Sequence, residues 1–470
     1  DPDRELPDPS NKHRHDPAKP TNTRRRSMGS FFRAANPLAS CDAPRGRCAL
    51  FTLDSVDRVD EPGGRVPGPP GRPAAHYLSA TAAGECAFKD LFAADSSFVL
   101  YSIEQPASDA PFVVFLSLPP DERRKMWQEE AFIDRGIRKL VAAGSRVAVA
   151  SLATAADYAQ PALDSFASGA WQCSFVWNTG RCGSTLLHKA VSAMGTASFS
   201  EPHWLDQLHF NKLGAPHLQA ALRVCVALEA LTARLQTAVP GWARPTNFVF
   251  NPKAGGMKVA EAVVSAFPGA RHAFMYRACH KVVESFCGLK LSHGISTRDA
   301  LLWRLLGMRV FELLPMPNRP DLPVAELSSM HVASMTSRWV TQISEWLATT
   351  AQRAEAHGAD DPLAAAIVLR MDEFTSKDLG VRGALVRRAL THFGVVADGV
   401  ADDVLRPALE VFSVHSQSGS KMSGPKAKVV TPDDVDVIKR CVTQAFGYHG
   451  IVEQDGANVA LPRSLGIVAS

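Results

Sequence analysis

The segment Ser174–Ser200, SFVWNTGRCGSTLLHKAVSAMGTASFS, constrains the fold more than any other part of the chain. Phe175, Val176 and Trp177 form an apolar run suited to a buried strand. Asn178 to Gly183 holds an Asn, a Thr and two glycines, which is turn chemistry. Ser184 is placed to N-cap a helix, and Leu186, Leu187, Ala190, Val191 and Met194 recur at helical spacing after it. The segment therefore predicts strand, turn, helix and a short second strand. Such a junction aims backbone N–H groups and the positive end of a helix dipole into the loop that carries Arg181. That is an anion site, and phosphate is its usual occupant.

The loop is not a Walker A motif, which needs G-x-x-x-x-G-K-[ST]. Ser184 follows Gly183 directly, so no Lys stands between them, and the cation comes earlier, as Arg181. The segment TGRCGSTLL (179–187) resembles the 5′-phosphosulfate-binding loop of sulfotransferases, which take 3′-phosphoadenylyl sulfate (PAPS) as donor. In that family the loop reads roughly [KR]-[SA]-G-[ST]-[ST] after an apolar strand, and Arg181-Cys182-Gly183-Ser184-Thr185 fits. The resemblance implies that Thr179, Gly180, Arg181, Cys182, Gly183, Ser184 and Thr185 surround the donor's 5′ end. The plainer reading is a Gly turn joining a strand to a core helix.

A second stretch adds weight. In HAFMYRACHKVVESF (272–286) an apolar strand delivers Arg277, and Ser285 lies on the next helix. Sulfotransferases use an Arg and a Ser in this order to hold the donor's 3′-phosphate, which implies that role for Arg277 and Ser285. The family often writes Asp-Pro after the Arg; here Ala278-Cys279 stands there. That loosens the turn but removes no ligand. VLRMDEF (368–374) resembles a late strand of the family, and HSQSGSKMSG (415–424) the loop that closes over the nucleotide. This makes Ser416 and Gln417 candidate donor contacts, with Ser418, Gly419 and Lys421 beside them. The resemblance covers roughly 173–450.

Sulfuryl transfer is an in-line displacement, and it sets three tasks: hold the donor, stabilise the leaving oxygen and remove the acceptor proton. Arg181, with loop N–H groups and Ser184 or Thr185, would stabilise charge on the bridging oxygen. Lys253, after a strand end, is a second cation candidate or a solvated loop Lys. Sulfotransferases carry the base, a Glu in some branches and a His in others, just after the strand that follows the first helix. The resemblance thus implies a base near Ser200-Glu201-Pro202-His203: Glu201 first, because burial past a strand end can raise a carboxyl pKa, then His203, then Asp206. Glu201 also reads as an N-cap of the next helix. With no HExxH and no clustered Cys and His, no metal is implied.

The rest of the chain frames that reading. Its 470 residues allow two or three domains, and 46% hydrophobic with 21% charged residues describes a soluble globular chain. A formal net charge of +4 argues against a nucleic-acid partner. No apolar run reaches the ~18 residues of a membrane helix, which predicts no membrane span. Nine cysteines, irregularly spaced and without CxxC, favour reduced thiols. Residues 1–45 read as a disordered tail. The first Met is Met28, so either the sequence is a fragment or the residues before Met28 are not natively translated. The basic stretch RRRSMGSFFRAANPLASC (24–41) is either a transit peptide or part of that tail. The expected location is cytoplasmic, or organellar in the first case.

Residues 46–74 read as a Pro/Gly-rich linker. Residues 75–165 read as a small α/β module of unknown role, with strands at 98–103, 112–118 and 146–152 and a helix from Pro119 to about Ala143. In 170–450, strands at 247–251, 271–276 and 364–370 alternate with helical runs, among them 215–239, 257–267, 281–289, 297–314, 325–356 and 381–393. Thr431 and Pro432 open a last helix, and 451–470 read as a tail. Alternation of this kind predicts an α/β fold with a central parallel sheet between helical layers, a P-loop-like three-layer sandwich preceded by the small module. Ligands bind beyond the strand C-termini in such sheets. The expected acceptor is a small molecule, lipid or glycan. Two other functions fit the same pattern: a different P-loop kinase or NTPase, which would need Mg²⁺, and a catalytically silent binding protein on this fold.

Overall fold

Strands in the first part of the chain form where β-branched and aromatic residues cluster. The computed structural model describes residues 36–61, 64–67, 73–93, 97–119, 133–210, 213–236, 244–292 and 324–413, with positions 122, 436, 439, 453–454 and 458–459 beyond these. The first part holds β1 (Arg47–Val56), a hairpin of β2 (Arg58–Glu61) and β3 (Gly64–Pro67), then β4 (Leu78–Ala87), β5 (Phe98–Glu104) and β6 (Phe112–Ser117). Helix α1 (Ile133–Leu140), β7 (Arg146–Ser151) and α2 (Leu152–Ala167) complete it. Five strands join in the order β4-β1-β7-β6-β5, every pair antiparallel. All seven residues of β5 are buried, so both faces of that strand are covered. Ser151 caps α2, its side chain accepting from the Thr154 N–H.

Residues 46–74 are therefore not all linker: β1 lies inside them and is an interior strand of the sheet. The reason is legible in its pairing with β4. Register shifts at Leu50/Phe51 and Leu53/Ser55 break the simple alternation that marks a strand. The Pro/Gly-rich stretch after it then dominates the composition. The module also draws on residues before 75, and its sheet is antiparallel. Within the expected helix 119–143, the described helical residues are Glu122 and those of α1.

The second sheet comprises β8 (Gln172–Asn178), β9 (Ala197–Ser200), β10 (Asn247–Asn251), β11 (Arg271–Tyr276) and β12 (Ile367–Arg370). Its order is β12-β11-β8-β10-β9, and every pair is parallel. Between and after these strands come α3 (Ser184–Ala193), α4 (His203–Phe210), α5 (Ala215–Gln236), α6 (Ala260–Ala266), α7 (Cys279–Ser292), α8 (Val324–His357), α9 (Met371–Phe374), α10 (Leu379–His392) and α11 (Asp402–Glu410). The expected helix 257–267 divides into a 3₁₀ turn, Gly256–Val259, and α6. The expected helix 297–314, the stretch 415–424 and nearly all of the last helix lie outside the described residues.

Period-two alternation assigns each strand residue to one of two cores. Phe175, Trp177, Phe199, Phe248, Phe250 and Phe274 face α5 to α8, meeting Leu222, Val263, Val282, Trp339 and Trp346. Val176, Val249, Ala273, Met275 and Leu369 face α3, α10 and α11, meeting Leu187, Val191, Leu385, Ala389 and Leu405. Helices thus cover both faces of a parallel sheet. On the first face the rings stack from strand to strand: Phe199 on Phe250 at 4.9 Å and Phe250 on Phe175 at 5.3 Å. Burying each such Phe is worth about 1.5–3 kcal/mol. That core also includes Leu100, Tyr101, Val113 and Phe115, so the antiparallel sheet and the parallel sheet share it. No described helix is long and apolar enough to cross a membrane.

Candidate functional site

Parallel strands end on one edge, and here that edge is closed by polar residues at the last strand positions. Asn178 ends β8 and Asn251 ends β10. The Asn178 Nδ2 donates to Asn251 Oδ1 at 3.1 Å and to the Pro252 carbonyl at 2.7 Å. Asn251 Nδ2 donates to Ser200 Oγ at 3.3 Å, and the Asn251 carbonyl accepts from the Glu201 N–H at 2.8 Å. The two asparagines thus tie three neighbouring strand ends together. Sequence reasoning does not single out either one. Their signal is a side-chain amide that closes an apolar strand.

The loop from Thr179 to Gly183 turns through left-handed backbone at Gly180 (φ 75°), Arg181 (φ 50°) and Gly183 (φ 84°). Asn178 Oδ1 accepts from the Gly180 N–H at 2.9 Å, and the Thr179 N–H donates to the Met275 carbonyl at 3.2 Å. Gly183, not Ser184, is the N-cap of α3, and no side chain caps that end. Ser184 is the first helical residue. Of the first-turn N–H groups of α3, that of Leu186 donates to the Gly183 carbonyl at 2.8 Å and that of Ser184 is directed at the Cys182 sulfur, while the positive end of the helix faces the loop. A Cβ at Gly183 would overlap the end of the flexible Met371 side chain, which can shift, so it is the φ of 84° that calls for glycine there. Cys182 is fully buried, and burial pushes its thiol up. Its side chain packs in the second core rather than facing a ligand. Thr185 is buried as well.

Arg181, Arg277, Arg338 and Lys253 gather at this edge, with Arg370 at the end of β12 lying 3.5 Å from Asp372. Arg181 Nε donates to Ser285 Oγ, on α7, at 2.9 Å. Burial first, then the charge of Arg277, pushes Arg181 below its ordinary value. Arg277 follows β11 and stands 3.9 Å from Asp372, in α9 just after β12. Its Nε is buried and makes no hydrogen bond among the described residues. The structure therefore brings Arg181, Arg277 and Ser285 together. Arg338 on α8 donates to the Ala254 carbonyl at 3.1 Å. The Gln342 amide, with its nitrogen toward the Thr179 carbonyl (3.0 Å) and its oxygen toward the Gly255 N–H (3.1 Å), braces the Thr179–Gly183 loop against the loop after β10.

The Lys253 ammonium pairs with Asp206 and lies 3.9 Å from Glu201 Oε2. Burial opposes its charge, but Asp206, Glu201 and Asp134 outweigh burial and hold its pKa above the ordinary value. Burial pushes Glu201 up, against the pull of Lys253, Arg181 and Arg338. Even so, 22% of the Glu201 side chain stays exposed. Burial pushes Asp206 up to about 7. Glu201 is a strained position, with φ 53° on a non-glycine residue. It precedes Pro202 and α4, and does not cap that helix.

His203 turns the other way. Its ring stacks on Tyr101 of β5 at 4.7 Å, nearly parallel, and its Nδ1 lies 3.5 Å from Asp134 Oδ1 on α1. It is 2% exposed. Two residues before, Glu201 faces Lys253; so of the candidate bases, Glu201 and Asp206 meet the cations and His203 meets the first module. Gln207 strengthens that contact, its Oε1 accepting from the Ile103 N–H at 2.8 Å. Ser416 and Gln417 lie outside the described residues. Chemically, the edge offers the positive end of a helix and clustered guanidiniums for a multiply charged anion, beside carboxyls whose pKa values are raised toward neutrality. No known protein-family model matches the chain, and no curated protein matches it.

Proposed function

We propose that the chain is a PAPS-dependent sulfotransferase that passes a sulfuryl group to a hydroxyl or amine. One observation carries this reading: a buried Arg277 Nε, with the Asp372 carboxylate 3.9 Å away but no hydrogen bond among the described residues, stands beside Arg181 and Ser285, near the N-terminus of α3. Unfilled buried donors of this kind call for an anion. Arg277 and Ser285 would take the 3′-phosphate, and Arg181 with the N-terminal end of α3 the 5′-phosphosulfate. The Arg181–Ser285 bond would open as phosphate oxygens replace it. In the reaction, the acceptor oxygen or nitrogen bonds to sulfur as the bond to the 5′-phosphate oxygen breaks. Glu201 takes the acceptor's proton and 3′,5′-ADP leaves. Arg181 meets the charge that develops on the bridging oxygen.

The test is a thermal shift without divalent metal. 3′,5′-ADP at a hundredfold excess over its dissociation constant should stabilise the fold by about 2.7 kcal/mol, and AMP clearly less. Equal shifts from the two would remove the 3′-phosphate assignment. A shift from ATP only with Mg²⁺ would favour a kinase or NTPase. Lys253 already sits against both Glu201 and Asp206, which favours a second reading, a silent binding protein. Binding of 3′,5′-ADP with no transfer to any acceptor would select it.

A further inference from the structure

We propose that Cys48 and Cys86 form a site of reversible disulfide modification. Cysteine spacing alone favours reduced thiols, but folding sets these two directly opposite each other on antiparallel β1 and β4. Opposed residues of an antiparallel pair have Cα atoms ~4.5–5.5 Å apart, inside the ~4.4–6.8 Å that a disulfide spans. Their side chains share a face, and the two sulfurs are 3.0 Å apart. Closing the bond therefore takes side-chain adjustment and no movement of the strands. β1 is held by β7 on its other side, whereas β4 is the sheet edge. The bond would tie the edge strand to an interior one. It would also close the loop 48–86, which contains the Pro/Gly-rich EPGGRVPGPPGRPA (61–74). Closing a loop of that length removes much freedom from the unfolded chain.

Exposure sets the order of events. Cys86 is half-buried and Cys48 is 0% exposed. The Cys86 thiolate attacks a low-molecular-weight disulfide such as oxidised glutathione, and one glutathione thiolate leaves. Cys48 then gives up its proton to solvent, attacks the Cys86 sulfur of the mixed disulfide, and the second thiolate leaves. Two protein thiols lose two electrons in all, and one small disulfide becomes two thiols. Burial of Cys48 makes the second step the slow one, since only the thiolate attacks.

The experiment uses the full-length chain, incubated with excess oxidised glutathione, quenched by denaturation in N-ethylmaleimide so that buried thiols are also alkylated, and mapped by non-reducing peptide mass spectrometry. The expected result is that the peptides holding Cys48 and Cys86 are joined, with loss of two hydrogens, and are released by dithiothreitol. In Cys48→Ser, Cys86 should end as the glutathione mixed disulfide. Recovery of both wild-type thiols as maleimide adducts overturns the proposal. So does a wild-type Cys86 that stops at the mixed disulfide with Cys48 alkylated.

Discussion

Arg181 and Arg277 stand in one cluster yet should fail in different ways when removed. Arg277 would hold a phosphate that does not react, so its contribution is nearly equal in ground and transition states. Arg277→Ala should therefore raise the donor KM and leave kcat largely intact. Arg181 would face the oxygen on which charge develops, and Arg181→Ala should lower kcat by a factor equivalent to about 2–4 kcal/mol. Steady-state kinetics with PAPS separate the two. If Arg181→Ala altered only the donor KM, the 5′ assignment would be lost. Glu201 is the next position to test. Glu201→Gln keeps shape, removes the basic oxygen and should reduce turnover ~10²-fold or more, with 3′,5′-ADP binding by calorimetry nearly unchanged. His203→Ala should act instead on folding, because its ring is wedged between Tyr101 and Asp134. These residue types are legible in the sequence because strand, turn and helix succeed one another in an order that leaves few places for a cation. Their partners are not legible. That Lys253 bridges Glu201 and Asp206, or that Arg181 reaches Ser285, depends on the relative position of four strand ends, which no local pattern encodes.

At the scale of elements, α4 is the piece that links the site to its surroundings. Trp204 on α4 donates its indole N–H to Glu229 Oε1 on α5 at 3.0 Å, with both side chains buried. Burial pushes the Glu229 carboxyl up to about 8, against the pull of that hydrogen bond. Its ordinary value is 4.5. The folded state thus holds a proton that the unfolded state gives up, so this group's stabilisation is complete below 4.5 and is lost as pH rises through about 8. Glu229→Gln keeps an acceptor for the indole and has no proton to lose. Its Tm should match the wild type near pH 4.5 and exceed it increasingly toward pH 8. A difference that stayed constant with pH would mean that Glu229 titrates normally. The sequence shows the apolar face of α5 but not this carboxyl, since a Glu in a helical run reads as solvent-facing. The same limit explains β1 and β4. Strands rich in Phe, Val and Ile, such as β5, β6 and β8, declare themselves. The small and polar residues of LSATAAGECA, and the bulged register of its partner, do not.

At the scale of the whole molecule, the question is whether the parallel sheet stands without the module before it. The sequence resemblance begins at about residue 173, which suggests a boundary there. The packing argues against one. Phe166 at the end of α2 meets Phe248 of β10 at 5.8 Å and Phe267 after α6 at 5.4 Å, both edge-on. The Tyr101–His203 stack and the Ile103–Gln207 bond hold α4 from the same side. One continuous core therefore supports both sheets. Each large ring left uncovered forfeits about 1.5–3 kcal/mol, and folded chains typically have only about 5–15 kcal/mol in hand. Losing Phe166, Tyr101 and the alanine face of α2 together would consume much of that margin. It would also free the turn at Glu201, whose left-handed backbone is held on one side by Asn251 and on the other by His203. A chain begun at residue 170 is therefore expected to aggregate or to melt without a cooperative transition, whereas the full chain should unfold both sheets in one step. Calorimetry of the two forms decides the point. A cooperative melt of the shorter chain close to the full-length Tm, with 3′,5′-ADP binding retained, would show that the antiparallel module is an appendage and that the strained turn at Glu201 is held by the parallel sheet alone.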